Sequence, residues 1–69
     1  MIISFDTEGR DAFIDIARLI SAQLEKGKKG EVTVCHLFYE DFNPSFNFPN
    51  EDDARAFYEL VLKAKKEEK

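Results

Sequence analysis

The sequence predicts an α+β protein: a β-α-β-β-α two-layer sandwich with two helices on one face of a three-stranded mixed sheet. Three observations carry that expectation. Apolar and polar residues alternate at the N-terminus and between positions 31 and 48, the period of a strand. Apolar residues recur every three to four positions over 10–26 and 50–64, the period of a helix. The second helical stretch opens on Asn50 followed by Glu51, Asp52 and Asp53, a capping residue with negative charge behind it.

Met1, Ile3 and Phe5 alternate with Ile2 and Ser4, a short strand with one apolar face. The polar run Asp6-Thr7-Glu8-Gly9 ends it, and Asp6 or Thr7 can cap a helix. From Arg10 to Lys26, Phe13, Ile16, Ala17, Ile20 and Leu24 share one helical stripe; Ala12 and Leu19 widen it and Ile14 falls outside. Gly27 suits a left-handed helix stop, with Lys28-Lys29-Gly30 completing the connection.

Glu31 to Pro49 reads as a hairpin and holds five of the nine aromatics: Phe38, Tyr39, Phe42, Phe46 and Phe48. Its first strand is apolar on both sides, with Val32, Val34, His36 and Phe38 on one and Thr33, Cys35, Leu37 and Tyr39 on the other. Asp41-Phe42-Asn43-Pro44 lacks the Asn-Gly or Asp-Gly of a two-residue turn, so a longer or bulged loop is expected. Phe46 and Phe48 mark a one-sided strand that Pro49 closes. In the last helix Ala54, Phe57, Val61 and Ala64 form the stripe, supported by Tyr58 and Leu60. Glu51 with Arg55 and Glu59 with Lys63 stand four apart in the favourable order. The ending KAKKEEK is expected to be a solvated, frayed tail. A right-handed crossover should make the first two strands parallel. The strand over 31–40 is then either central or separated from the first by the third; the prolines flanking the third strand favour an edge position for it.

Sixty-nine residues, 43% hydrophobic and 35% charged, suit a single domain over 1–69 and exclude a disordered chain. One cysteine cannot form an internal disulfide, which suits a reducing compartment. No apolar run approaches the ~20 residues that span a bilayer, and MIISFD lacks the features of a signal peptide. A soluble protein, cytoplasmic or made recombinantly, is expected. Fourteen acids against ten bases, net charge −4, argue against nucleic acid as a partner, since phosphate binding needs a coherent basic surface. Lys26, Lys28 and Lys29, and Lys63, Lys65, Lys66 and Lys69, are read as cations at helix ends.

Ile2-Ile3-Ser4-Phe5-Asp6-Thr7-Glu8-Gly9 resembles the first motif of the DEDD-type exonucleases, an apolar strand followed by Asp-x-Glu. The resemblance implies Asp6 and Glu8 as ligands of a catalytic divalent metal. It covers eight residues, and that family carries further acidic motifs on a much larger domain. Cys35 and His36 are neighbours in a strand and point to opposite faces, so they cannot form a nucleophile–base pair. One Cys and one His fall short of a four-ligand metal site. No catalytic residues, metal ligands or cofactors are therefore assigned, and no enzyme is expected. PNEDDARAFYELVLKAKKEEK and EKGKKGEVTV resemble the framework of computationally designed mini-proteins in their caps, charge placement and glycine stop. The resemblance implies a scaffold or a binder of a chosen protein, and no catalytic residues.

Phe5, Phe13, Phe46, Phe48 and Phe57 are expected to fill the core. Phe38, Tyr39, Phe42 and the Val32/Val34 row then exceed what two short helices can cover, and aromatics beside Glu40 and Asp41 have the make-up of a binding hot spot with a polar rim. The expected function is a non-catalytic protein-binding module engaging a protein partner through the edge or open face of strand 31–40, with His36, Phe38, Tyr39 and Phe42 in the contact. Two alternatives are an acidic inhibitor from a phage or mobile element and a homodimer formed through the same surface.

Overall fold

The computed structural model describes residues 1–26 and 33–68. Along them run β1 (Ile2–Thr7), β2 (Arg10–Asp15), β3 (Ser21–Glu25), β4 (Thr33–Phe38), β5 (Ser45–Phe48) and α1 (Glu51–Glu67). All strand pairs are antiparallel: β1 with β2 in one sheet, and β3-β4-β5 in another. The expected β-α-β-β-α sandwich with a mixed sheet and two helices is therefore incorrect. The stretch over 10–26, expected to be a helix, supplies two strands and the connection between two sheets.

That stretch supports both periods. Phe13, Ile16, Ala17, Ile20 and Leu24 share a helical stripe, while Ala12, Ile14 and Ile16 fall on one side of a strand, as do Ala22 and Leu24 between Ser21, Gln23 and Glu25. Pairing decides in favour of the strand. Glu8 at φ 52° and Gly9 at φ 73° make a two-residue turn with both dihedrals left-handed. This is the hairpin geometry whose twist matches that of the strands. Thr7 faces Arg10, and the register runs without slip to Ile2 facing Asp15. Ile3 and Ile14 thereby point into the core, and Phe13 points out at 71% exposure. Phe13 is not core, and Ile14 takes the inward place assigned to it.

The chain leaves this hairpin at Ile16–Ile20. Asp15 Oδ1 accepts from the Ala17 N–H at 3.0 Å, and the Leu19 N–H donates to the Ile16 carbonyl at 3.1 Å. Buried Ile16 and Leu19 anchor the bend. The Thr7 hydroxyl donates to the Asn47 carbonyl at 2.7 Å, tying β1 to β5 across the gap between the sheets.

β4 is the middle strand of its sheet, and β5 lies at one side of it, as the prolines suggested. The β4–β5 loop is tighter than expected. The register carries on past the strands, with Leu37 N–H donating to the Pro44 carbonyl at 2.9 Å and Tyr39 N–H to the Phe42 carbonyl at 3.0 Å. Only Glu40 and Asp41 lie between the closing pair. Pro44 has no N–H to return the bond, so the regular ladder stops at His36 facing Ser45.

α1 begins as its sequence demands: Asn50 Oδ1 accepts from the Asp53 N–H at 2.8 Å. Ala54, Phe57, Val61 and Ala64 are its buried face and lie on Thr33, Cys35, Leu37 and Phe48 in one core with Ile3, Ile14, Ile16 and Leu19. Phe57 is the hub of an aromatic cluster, its ring centroid 4.4 Å from Phe5, 5.2 Å from Phe48 and 6.0 Å from Phe46. Glu51 and Arg55 pair at 3.4 Å; Glu59 and Lys63 form no ion pair among the described residues. The C-terminal segment is not a free tail. The helix continues to Glu67, Lys65 Nζ donates to the carbonyls of Ile16 and Ala17, and Glu68 takes the Met1 ammonium at 2.7 Å. That hydrogen bond raises the pKa of the ammonium. Lys26 pairs with Glu51 at 3.5 Å and is not a helix-end cation. The Gly27 stop, Lys28, Lys29, Gly30, Glu31, Val32 and Lys69 lie outside the described residues. Among those described, no helix is long and apolar enough to cross a membrane.

Candidate functional site: an aromatic ridge beside a polar sheet face

The four residues expected to bind a partner separate into two pairs. His36 and Phe38 lie on the outward face of β4, half-buried with Val34. Their strand neighbours on that face are polar: Ser21, Gln23 and Glu25 on β3, Ser45 and Asn47 on β5. Because β4 is paired on both sides, pairing at its edge is closed to a partner. Among the described strands the edges are β1 and β2 in one sheet and β3 and β5 in the other.

Tyr39 and Phe42 face each other across the two-residue loop and stack, with ring centroids 4.8 Å apart and planes inclined by 11°. The Tyr39 hydroxyl donates to the Asp15 carbonyl at 2.7 Å, fixing the ring against the bend between the sheets. Burial and the nearby Asp15 carboxylate raise the pKa of that phenol. Phe42 rides on the anchored ring and is 58% exposed. The stacked pair forms a ridge between two hollows. One, of about 400 Å³, is lined by Phe13, Ile14, Asp15, Arg18, Pro44 and Phe46 together with the ridge. The other, of about 270 Å³, is lined by Arg18, Ile20, Glu40 and Asp41 with the ridge. Phe13 and Ile20, assigned to a buried helix stripe by sequence, are thus exposed walls of this site. The signal that could have placed Phe13 was the Glu8-Gly9 turn, which puts the odd residues of β2 outside; none in the sequence placed Ile20.

A hydrogen-bonded chain crosses the outward sheet face from strand to strand. Glu25 Oε1 lies 2.6 Å from His36 Nε2, and His36 Nδ1 lies 2.7 Å from Ser45 Oγ. A carboxylate can only accept, so Nε2 carries the proton, and in the neutral ring Nδ1 accepts from the Ser45 hydroxyl. Hydroxyl, imidazole and carboxylate in that order are the parts of an activated serine. None of the four hollows of 160 to 600 Å³ among the described residues includes any of the three. Sequence reading missed this chain because its members come from three strands.

Cys35 is fully buried on the opposite face of β4, and desolvation pushes its thiol up to about 11. It is a packing residue. Asp6 and Glu8, the pair that resembles a nuclease motif, sit at the tip of the first hairpin. Asp6 faces Asp11 across the strands, and Glu8 occupies the turn. Among the described residues no three of His, Cys, Asp and Glu come together as a set that could hold a metal ion. Comparison with known proteins finds no matching family model, no matching curated protein and no matching solved structure.

Proposed function

We propose that this chain is a non-catalytic protein-binding module whose contact surface is the Tyr39–Phe42 ridge and its two hollows. The observation that carries this reading is the exposure of Phe42 and Phe13, two large aromatics flanking a concave surface of about 400 Å³. A half-exposed aromatic fixed by a backbone hydrogen bond loses little conformational freedom on binding, the property of an interface anchor. Asp15, Glu40 and Asp41 outnumber Arg18 around the hollows. That balance favours a partner segment presenting an apolar side chain next to a basic one. His36 and Phe38 then belong to the flank of the surface, not its centre.

The reading is tested by panning a displayed peptide library against the protein and mapping the selected peptides by NMR. Selected sequences should share an apolar residue beside Lys or Arg and shift the amides of Phe13, Tyr39 and Phe42. Phe42→Ser should weaken them by about tenfold or more, the loss typical of a truncated anchor. Shifts that map to another surface, or affinity unchanged in Phe42→Ser, would overturn the assignment. Sedimentation of the wild type distinguishes a homodimer: a dimer dissociated by Phe42→Ser gives this surface to a second copy. Salt distinguishes an acidic inhibitor, whose charge contacts would weaken steeply as an apolar anchor would not.

A further inference from the structure

A third hollow, larger and chemically distinct, shares no residue with the ridge. At about 600 Å³ it runs between the tip of the first hairpin and the first turns of α1. Its floor is apolar, with Phe5, Phe48 and Leu60, and Leu60 is 45% exposed although it lies on a helix whose other apolar residues are mostly covered. Its rim carries Asp6, Glu8 and Asp53, and among the described residues no Lys, Arg or His lines it. Arg10, the cation at the hairpin tip, is outside the lining.

Among the described residues neither Asp6 nor Glu8 is ion-paired. Asp6 stands directly opposite Asp11 in the strand register, an arrangement that destabilises a hairpin. Asp53 accepts one bond from Asn50 Nδ2, at 3.3 Å. We infer that this hollow binds a small organic cation, an ammonium carried on an apolar or aromatic body. Its volume falls within the range of small-molecule sites, which pair an apolar lining with a few placed polar groups. The apolar body would cover Leu60 and the edge of Phe5, and the ammonium would lie among the rim carboxylates. An anion of the same shape meets like charge from the three rim carboxylates.

The inference is independent of the ridge, and its test uses different residues. Three probes of one shape are titrated at matched ionic strength and followed by ¹H–¹⁵N NMR: 2-phenylethylammonium, neutral 2-phenylethanol and anionic 3-phenylpropionate. The ammonium should give saturable shifts at Thr7, Glu8, Gly9 and Phe48. The alcohol should bind about fivefold more weakly, the factor one unit-charge pair at about 4 Å carries in water, and the carboxylate should not saturate. Asp6→Asn with Glu8→Gln, both at exposed positions, should bring the ammonium down to the affinity of the alcohol while the fold is kept. Leu60→Ser should weaken ammonium and alcohol alike. The inference is overturned if the ammonium gives no saturable shift at these amides, if the carboxylate binds as well, or if the double variant leaves the preference intact.

Discussion

Residues 10–25 and 51–67 carry apolar side chains at nearly the same helical spacing, yet one forms strand, bend and strand and the other a continuous helix. The difference lies at their first residues. Asn50 presents a side-chain acceptor to the Asp53 N–H, and three acids follow it. Arg10 is preceded by Glu8-Gly9, which folds the chain back on β1 and gives every residue of β2 a partner. An amphipathic pattern therefore states how many faces a segment has. What precedes it, and which strand it can reach, states the geometry.

Five substitutions test this contrast. The largest effect belongs to the helix, whose buried face centres on Phe57: Phe57→Ala should lose about 3–5 kcal/mol by chemical denaturation. Next comes the pair that separates strand from helix in the first segment. With β2 a strand, Ile14→Ala should cost about 2–5 kcal/mol, whereas Phe13→Ala, outside the core, should stay within about 0.5 kcal/mol of wild type. The reverse order would restore a helix over 10–26. At the turn, Gly9→Ala meets no steric contact within 4 Å but must hold φ at 73°. A loss of about 1–2 kcal/mol is expected from that conformation alone, and no loss would mean the turn is of another type. Smallest is the helix cap: Asn50→Ala should cost about 1 kcal/mol, and an unchanged denaturation midpoint would remove the cap from the comparison.

Alkaline pH reaches the core through Cys35. Its thiol is held protonated to about 11 by burial, against an ordinary 9. The folded state therefore binds more protons than the unfolded state between those values, and stability should fall as pH rises through that window. Alkylation of the native protein at pH 8 should be slow and become fast on unfolding, as for a thiol inside a packed core.

The two aromatic regions of the second hairpin show how much of the site was legible. Phe46 and Phe48 alternate with small polar residues beside a proline, and their inward direction follows from that pattern alone. Tyr39 and Phe42 were marked by their excess over what the helices can cover, and both do stand at a concave surface. Its other wall was hidden. Phe13 and Ile20 come from a segment whose period was read as helical, so the same error that changed the fold removed half of the site. His36 was singled out as a contact residue, but its fixed orientation depends on Glu25 and Ser45, eleven and nine positions away.

Read alone, the chain determined the final helix with its cap and buried face, the one-sided strand before it, and the exposure of Phe42. These are local matters, settled by capping atoms and by side chains within a few positions of each other. The tertiary structure decided the path of residues 10–26, the division into two sheets, and the placing of Phe13 and Phe42 around one hollow. Each of these rests on hydrogen bonds between distant backbone groups, such as the Ile16 N–H to the Met1 carbonyl and the Ile20 N–H to the Phe38 carbonyl. A segment whose apolar residues fit both periods takes the one for which the rest of the chain offers partners.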